Sequence, residues 1–301
     1  MKIRNVNFAI VGAQKAATTS VHEALMQAFD VYMPMEEIRA FEDPEYGQQY
    51  YEDFMARIST RDERLIGIKR PDYLAREEVP SRLYSHAPDM KIVAILREPV
   101  SRLLSAYYYY MKLGFLPVQP LNEGLPKIMD NPGDYGPKAK ELLDYGLYDQ
   151  HLSRYFEIFP SDSVHVSLQD DLVRDQNATI RLIADFVGVD LQSSAFNENK
   201  ANEGVCSITR LKWLTRRNKY IYRYDGFGKI QERSKGFNYI PAYWITTVDR
   251  VVLSRLLGNE KEKLSPALKE RLAEFYLPSI NNLERLIGRD FGAWSSKLRA
   301  C

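Results

Sequence analysis

The sequence predicts an α/β fold: one central parallel sheet with helices on both faces. Short apolar runs of strand length, at residues 7–11, 65–68, 92–96 and 164–168, alternate with stretches whose apolar residues recur at helical spacing. Two of these runs end in residues suited to anions, Gly12 to Thr19 after the first and Arg97 after the third. Ligands of open α/β sheets bind outside the carboxyl ends of strands, and right-handed crossovers bring such ends to one edge.

Asn7 to Val11 is long enough for a buried strand, Gly12 to Thr19 is small and polar, and Val21, Leu25, Ala28 and Phe29 return at helical spacing. A helix entered this way points unsatisfied N–H groups and its positive dipole end at the loop, an anion site needing only a cation and hydroxyls. Lys15, Thr18, Thr19 and Ser20 supply them. A Walker A loop would read G-x-x-x-x-G-K-[ST]; here Lys15 follows Gly12 by three residues and precedes Ala16-Ala17-Thr18-Thr19, so that spacing fails.

Residues 31–56 read as a turn-rich loop dense in carboxylates and tyrosines, by composition a solvated acidic face. Leu65 to Ile68 makes a further strand, closed by Lys69-Arg70-Pro71-Asp72-Tyr73. Ile92 to Leu96 is another, with Arg97 at its carboxyl end and Pro99 suited to the start of the next helix. Ser105, eight residues on, can face the same ligand as Arg97. Tyr107 to Tyr110 must point to different sides of that helix and read as core and wall.

Pro, Gly, Asn and Asp make residues 116–146 an irregular excursion. Helical spacing resumes with Leu147, Leu152, Tyr155, Phe156 and Phe159, and Val164 to Leu168 is the last strand. Residues 205–240 hold nine Lys and Arg against only Asp225 and Glu232, interleaved with tyrosines. The balanced total charge favours a nucleotide or substrate lid there over a nucleic-acid surface. Ser265 caps a final helix with Pro266 at its first position, and Pro278 kinks or divides it.

A chain of 301 residues, 45% hydrophobic, can bury a large core. Its net charge of +1 gives no reason to expect nucleic acid or an anionic membrane as partner. The N-terminus runs straight into the first strand and no apolar run reaches eighteen residues, so the expected location is cytoplasmic. Cys206 and Cys301 lie far apart and read as free thiols.

Gly12-Ala13-Gln14-Lys15-Ala16-Ala17-Thr18-Thr19-Ser20-Val21 and Arg97-Glu98-Pro99-Val100-Ser101-Arg102-Leu103-Leu104-Ser105 together resemble two motifs of one family. It is the family of sulfotransferases that depend on PAPS, 3′-phosphoadenosine 5′-phosphosulfate. Its 5′-phosphosulfate loop reads roughly G-x-x-K-x-G-T-T-x-L and its 3′-phosphate motif R-x-P-x-x-R-x-x-S; Ala17 stands where the family usually has Gly. The resemblance implies one P-loop-like domain over 1–301, with 193–264 as a less typical lid or substrate segment. It assigns residues 12–20 to the 5′-phosphosulfate, and Arg97 and Ser105 to the 3′-phosphate, with no metal required. Arg233-Ser234-Lys235-Gly236 resembles the basic-glycine loop that closes over that phosphate.

In the heparan-type branch a K-E-x-x-F-F-like stretch carries the catalytic base, and Glu36-Glu37-Ile38-Arg39-Ala40-Phe41 resembles it, mapping the base to Glu37. Lys69 matches the lysine of the branch's E-K-[ST]-P-x-Y element, although Ile68 replaces its Glu and Arg70 its small hydroxyl. His22 is the rival base, since small-molecule sulfotransferases use histidine; its seat in the first helix suits a packed residue. Lys15 would stabilise charge on the leaving oxygen while Glu37 removes the acceptor proton.

Glu36, Glu37, Glu42, Asp43 and Glu45 would make the acceptor rim acidic, repelling a sulfated chain. The expected activity is therefore transfer of a sulfuryl group from PAPS to a hydroxyl, amine or guanidine of a small natural product, neutral or cationic. The other readings are a heparan-type polysaccharide sulfotransferase, a small-molecule P-loop kinase and a non-catalytic nucleotide sensor. The spacing around Lys15 counts against the kinase.

Overall fold

The computed structural model of the protein describes residues 4–191, 204–224, 230–232, 236–237 and 239–299. By their contacts these fall into two compact units. Unit 1 comprises Met1–Glu98, Leu147–Ala201 and Asn282–Gly288, and unit 2 the remainder.

Unit 1 holds the parallel sheet. Its strands are β1 (Phe8–Gly12), β2 (Val31–Tyr32), β3 (Leu65–Lys69), β4 (Lys91–Leu96) and β5 (Val164–Leu168), in the order β2-β3-β1-β4-β5. The five residues of β1 are all buried, as a continuous apolar run in the middle of a parallel sheet must be. Helix α1 spans Thr18–Leu25, α2 Gln49–Ser59 and α3 Val79–His86.

Three differences from the sequence reading have local causes. Phe29 is 90% exposed because α1 stops at Leu25 and the chain turns to enter β2, with Val31 N donating to Ala28 O. At two residues, β2 is too short to register as an apolar run. Helix α2 begins inside the stretch read as loop and runs three residues past it, buried only through Phe54 and Ile58, one turn apart among tyrosines and charges.

Unit 2 begins with α4 (Pro99–Leu113), whose Tyr107, Tyr108 and Tyr110 are buried while Tyr109 is 38% exposed. Residues 116–146 are not irregular: they form the helices Leu121–Asp130 and Pro137–Asp144. Pro120, Asn131, Gly136 and Pro137 sit at the ends of these helices, while Gly124 and Pro126 are taken into the first, whose Leu121, Leu125 and Ile128 are buried. Helices Ile208–Ile221 and Tyr239–Val248 are joined by Trp213 Nε1 donating to Ile245 O, and a bidentate Arg210–Asp249 ion pair at 2.9 Å lies beside them. Ser265 Oγ caps the first turn of Pro266–Ile287, which runs through Pro278 as one helix. Among the described residues, no helix is long and apolar enough to cross a membrane.

Gly67 of β3 pairs with Phe8 of β1, and a Cβ at Gly67 would lie 2.2 Å from the Phe8 ring. Gly67→Ala is therefore expected to cost about 1–3 kcal/mol by overpacking. Denaturant unfolding measures it, and a loss below about 0.5 kcal/mol, the usual bound for neutral surface changes, would contradict this packing.

Candidate functional site

The carboxyl ends of β1, β3 and β4 meet on one edge of unit 1. β1 ends at Gly12, where a side chain has no room: a Cβ there would lie 2.6 Å from Leu74 Cβ, in the turn Pro71–Ala75 that follows β3. Beyond it, Ala13 N donates to Ile95 O of β4 at 2.6 Å. Lys15 and Ala17 both take the left-handed conformation, with φ of 69° and 65°. Ala17 thus adopts what the family's glycine would adopt freely, at about 1–2 kcal/mol. It stands at the N-cap of α1 without a side-chain acceptor, so the first-turn N–H groups and the positive dipole end face the loop.

Arg97 follows β4 directly. It donates from Nη1 to Lys15 O at 3.0 Å, while its own carbonyl accepts from Tyr148 OH at 2.8 Å. The Arg97 guanidinium is thereby held against the main chain of the loop at Lys15.

Lys69, the last residue of β3, is 5% exposed. Its Nζ lies 3.5 Å from Thr19 Oγ1 and 3.9 Å from Glu37 Oε1, which joins the start of α1 to the carboxylate taken as base. Ile38 N donates to Lys69 O at 3.2 Å. Three residues further, Phe41 is fully buried among Tyr46, Tyr51, Phe54 and Tyr73, and its N–H donates to Tyr73 OH at 3.1 Å. With Ile38 and Phe41 fixed inward, the Glu37 side chain stays 42% exposed.

The sequence reading missed a charge cluster beside these residues. Arg70 donates from Nη1 to Glu37 Oε2 at 2.8 Å, and from Nη2 and Nε to the two oxygens of Glu42 at 2.8 and 3.1 Å; Asp72 Oδ2 lies 3.1 Å from Nη2. Asp72 also accepts from Gln14 Nε2, on the loop, at 3.2 Å. Burial disfavours the Arg70 charge, but Asp72 and Glu42 outweigh it and hold its pKa far above the ordinary value. Burial pushes the Glu42 carboxyl up, opposed by Arg70. The available signal was the Lys69-Arg70 pair with Asp72 two residues on, at the carboxyl end of a strand.

The acidic rim read from the sequence is compensated. Glu36 pairs with Arg57, Glu37 and Glu42 with Arg70, Asp43 with Arg82 and Glu45 with Arg39. Apart from the buried Glu42–Arg70 contact these pairs contribute little stability, yet together they offset much of the field on which repulsion of an anionic acceptor was argued.

His22 is 2% exposed, and its Nε2 donates to Pro34 O at 2.9 Å. Burial and then the Lys69 charge lower its pKa from 6.5 to about 4, so the ring is neutral. Ser105 lies half-buried on α4 in unit 2, and Gly236 is exposed. Arg233 and Lys235 lie outside the described residues.

Residues 7–218 match the sulfotransferase domain family. The chain is 26% identical over 294 residues to human heparan sulfate glucosamine 3-O-sulfotransferase 6, covering 94% of this chain and 72% of that protein. It is 23% identical to mouse heparan sulfate glucosamine 3-O-sulfotransferase 3A1, over 94% of this chain and 63% of that one. Its fold is similar to a sulfotransferase from Alicyclobacillus acidocaldarius, with a TM-score of 0.65 and 22% identity over 97% of this chain and 99% of the other.

A histidine whose pKa is lowered by folding stabilises the protein above its unfolded pKa and loses that contribution as protons are taken up by the unfolded chain. Stability should therefore fall by up to about 3 kcal/mol between pH 6.5 and about 4 through His22. Urea titrations across that range on the parent and His22→Asn measure it. An unchanged pH dependence in the variant would contradict a neutral, packed His22.

Proposed function

The chain belongs to the PAPS-dependent sulfotransferase family, and from that premise we propose that it moves the sulfuryl group of PAPS to an acceptor held beside Glu37. The observation that carries this reading is Lys69, whose ammonium lies between Thr19 of the anion loop and Glu37. The loop suits a phosphate-bearing donor. It leaves no room for a side chain at Gly12, has left-handed residues at 15 and 17, and opens onto a helix N-terminus without a side-chain cap.

When bound, PAPS supplies the sulfuryl group and a phosphate leaving group. Lys15, with Thr18, Thr19 and the first-turn N–H groups of α1, would bind the 5′ end and stabilise the charge that develops there. Lys69 Nζ supplies a second positive charge at the same edge. Glu37 would accept the acceptor proton, its exposure leaving it accessible from solvent. His22 fits this role poorly, being buried with Nε2 engaged by Pro34.

For the acceptor, a hydroxyl or an amine or guanidine nitrogen of a small molecule is the first reading, because a net charge of +1 gives no chain-wide field to hold a polyanion. A preference for cations loses its support once the rim carboxylates are paired. An anionic saccharide is the second reading. It is favoured by that same pairing and by the heparan sulfate sulfotransferases among the relatives.

A guanidinium matches phosphate by two charge-assisted hydrogen bonds, so Arg97 is assigned to the 3′-phosphate. Arg97→Ala should weaken binding of 3′-phosphoadenosine 5′-phosphate by roughly 10–100-fold more than binding of adenosine 5′-phosphate. Calorimetry on both ligands measures this, and equal losses would remove the assignment.

Turnover with PAPS should appear on hydroxylated or guanidinium-bearing metabolites and change little with salt. Activity confined to heparan-type oligosaccharides, and falling steeply as salt rises, would instead establish the saccharide reading.

A further inference from the structure

We infer that Arg70 is the positioning residue for Glu37, fixing the carboxylate's orientation from an anchor on buried Glu42 and linking it through Asp72 to the donor loop. The inference rests on Glu37 being the base. Arg70 stands where the heparan-type motif carries a small hydroxyl, and no Ser or Thr side chain could span the distances involved.

A base on an exposed loop turns over less if its carboxylate samples many rotamers, and a fixed partner on one oxygen narrows that choice. Arg70 is such a partner. Its main-chain N–H donates to Ile10 O at 3.0 Å, which ties it to β1. Its Nε and Nη2 edge is held by Glu42, itself 2% exposed, and its Nη1 is left at 2.8 Å from Glu37 Oε2. The other oxygen, Oε1, is thereby turned toward Lys69 at 3.9 Å. Asp72, 7% exposed, meets Nη2 on one side and Gln14 of the loop on the other. A lysine could meet one of these carboxylates but not all three, since only the planar fork presents three nitrogens in fixed directions.

The test is a four-corner cycle of the parent, Arg70→Ser, Glu37→Gln and the double variant, with kcat, acceptor KM and affinity for 3′-phosphoadenosine 5′-phosphate measured on each. Glu37→Gln should lower kcat by roughly 10²–10⁴-fold. Arg70→Ser should lower it by roughly 10–100-fold, with a smaller loss of nucleotide affinity through the Asp72–Gln14 contact. The double variant should be no slower than Glu37→Gln alone, because Arg70 acts through Glu37. Arg70→Ser strands the buried Glu42 and Asp72, so the cycle is repeated in the Glu42→Gln/Asp72→Asn background, where neither carboxylate is left as an orphaned charge.

Losses that multiply in the double variant, or a normal kcat for Arg70→Ser beside an inactive Glu37→Gln, would overturn the positioning role. Near-normal turnover in Glu37→Gln would refute the base reading itself, and the inference with it.

Discussion

Gly12 has no space for a side chain, and much of unit 1 depends on that. With Leu74 Cβ 2.6 Å from where its own Cβ would be, the turn after β3 lies directly against the loop after β1. This approach lets Gln14 reach Asp72 and Lys69 reach Thr19, although they are separated by fifty residues or more. Ala13 adds the third strand end through Ile95 O. A parallel sheet delivers its carboxyl ends to one edge, but only a glycine lets two of these ends close to hydrogen-bonding distance.

Charge is the second constraint. Lys69, Glu42 and Asp72 are each less than a tenth exposed, a placement that costs several kcal/mol per ion without partners. Arg70 offsets much of that by meeting Glu42 through two nitrogens and Asp72 through one of them. The buried part of the network holds the guanidinium in place, and only its Nη1 end reaches the exposed Glu37. Rigidity at Glu42 and accessibility at Glu37 come from the same side chain.

The aromatic cluster around Phe41 does for the backbone what Arg70 does for the charges. Phe41 is fully buried and its N–H is taken by Tyr73 OH, while Tyr73 O in turn accepts from Tyr155 OH at 2.8 Å. A loop rich in carboxylates is thereby fastened at one end by apolar burial and at the other by Ile38 N on Lys69 O. Composition suggested a solvated face; the aromatic residues interspersed in it decided otherwise.

The four longer strands, the anion loop and the cations at strand ends were legible in the sequence. Each depends on neighbours within a few residues: a continuous apolar run, a small polar turn, a Lys or Arg just beyond. Helix α2 and the helices within 116–146 were not, because tyrosines, acids and end-capping Pro and Gly blur their period while a few buried residues hold them. The sequence by itself determined a parallel α/β sheet with a small polar, lysine-bearing loop after β1 and cations at the ends of β3 and β4, while Glu37 and Lys69 were singled out through the family resemblance. Only the tertiary structure decided which charges cancel. Arg57, Arg70 and Arg82 pair with Glu36, Glu37, Glu42 and Asp43 across separations of more than twenty residues and so offset much of their charge, and a field depends on distances in space that spacing along the chain does not contain.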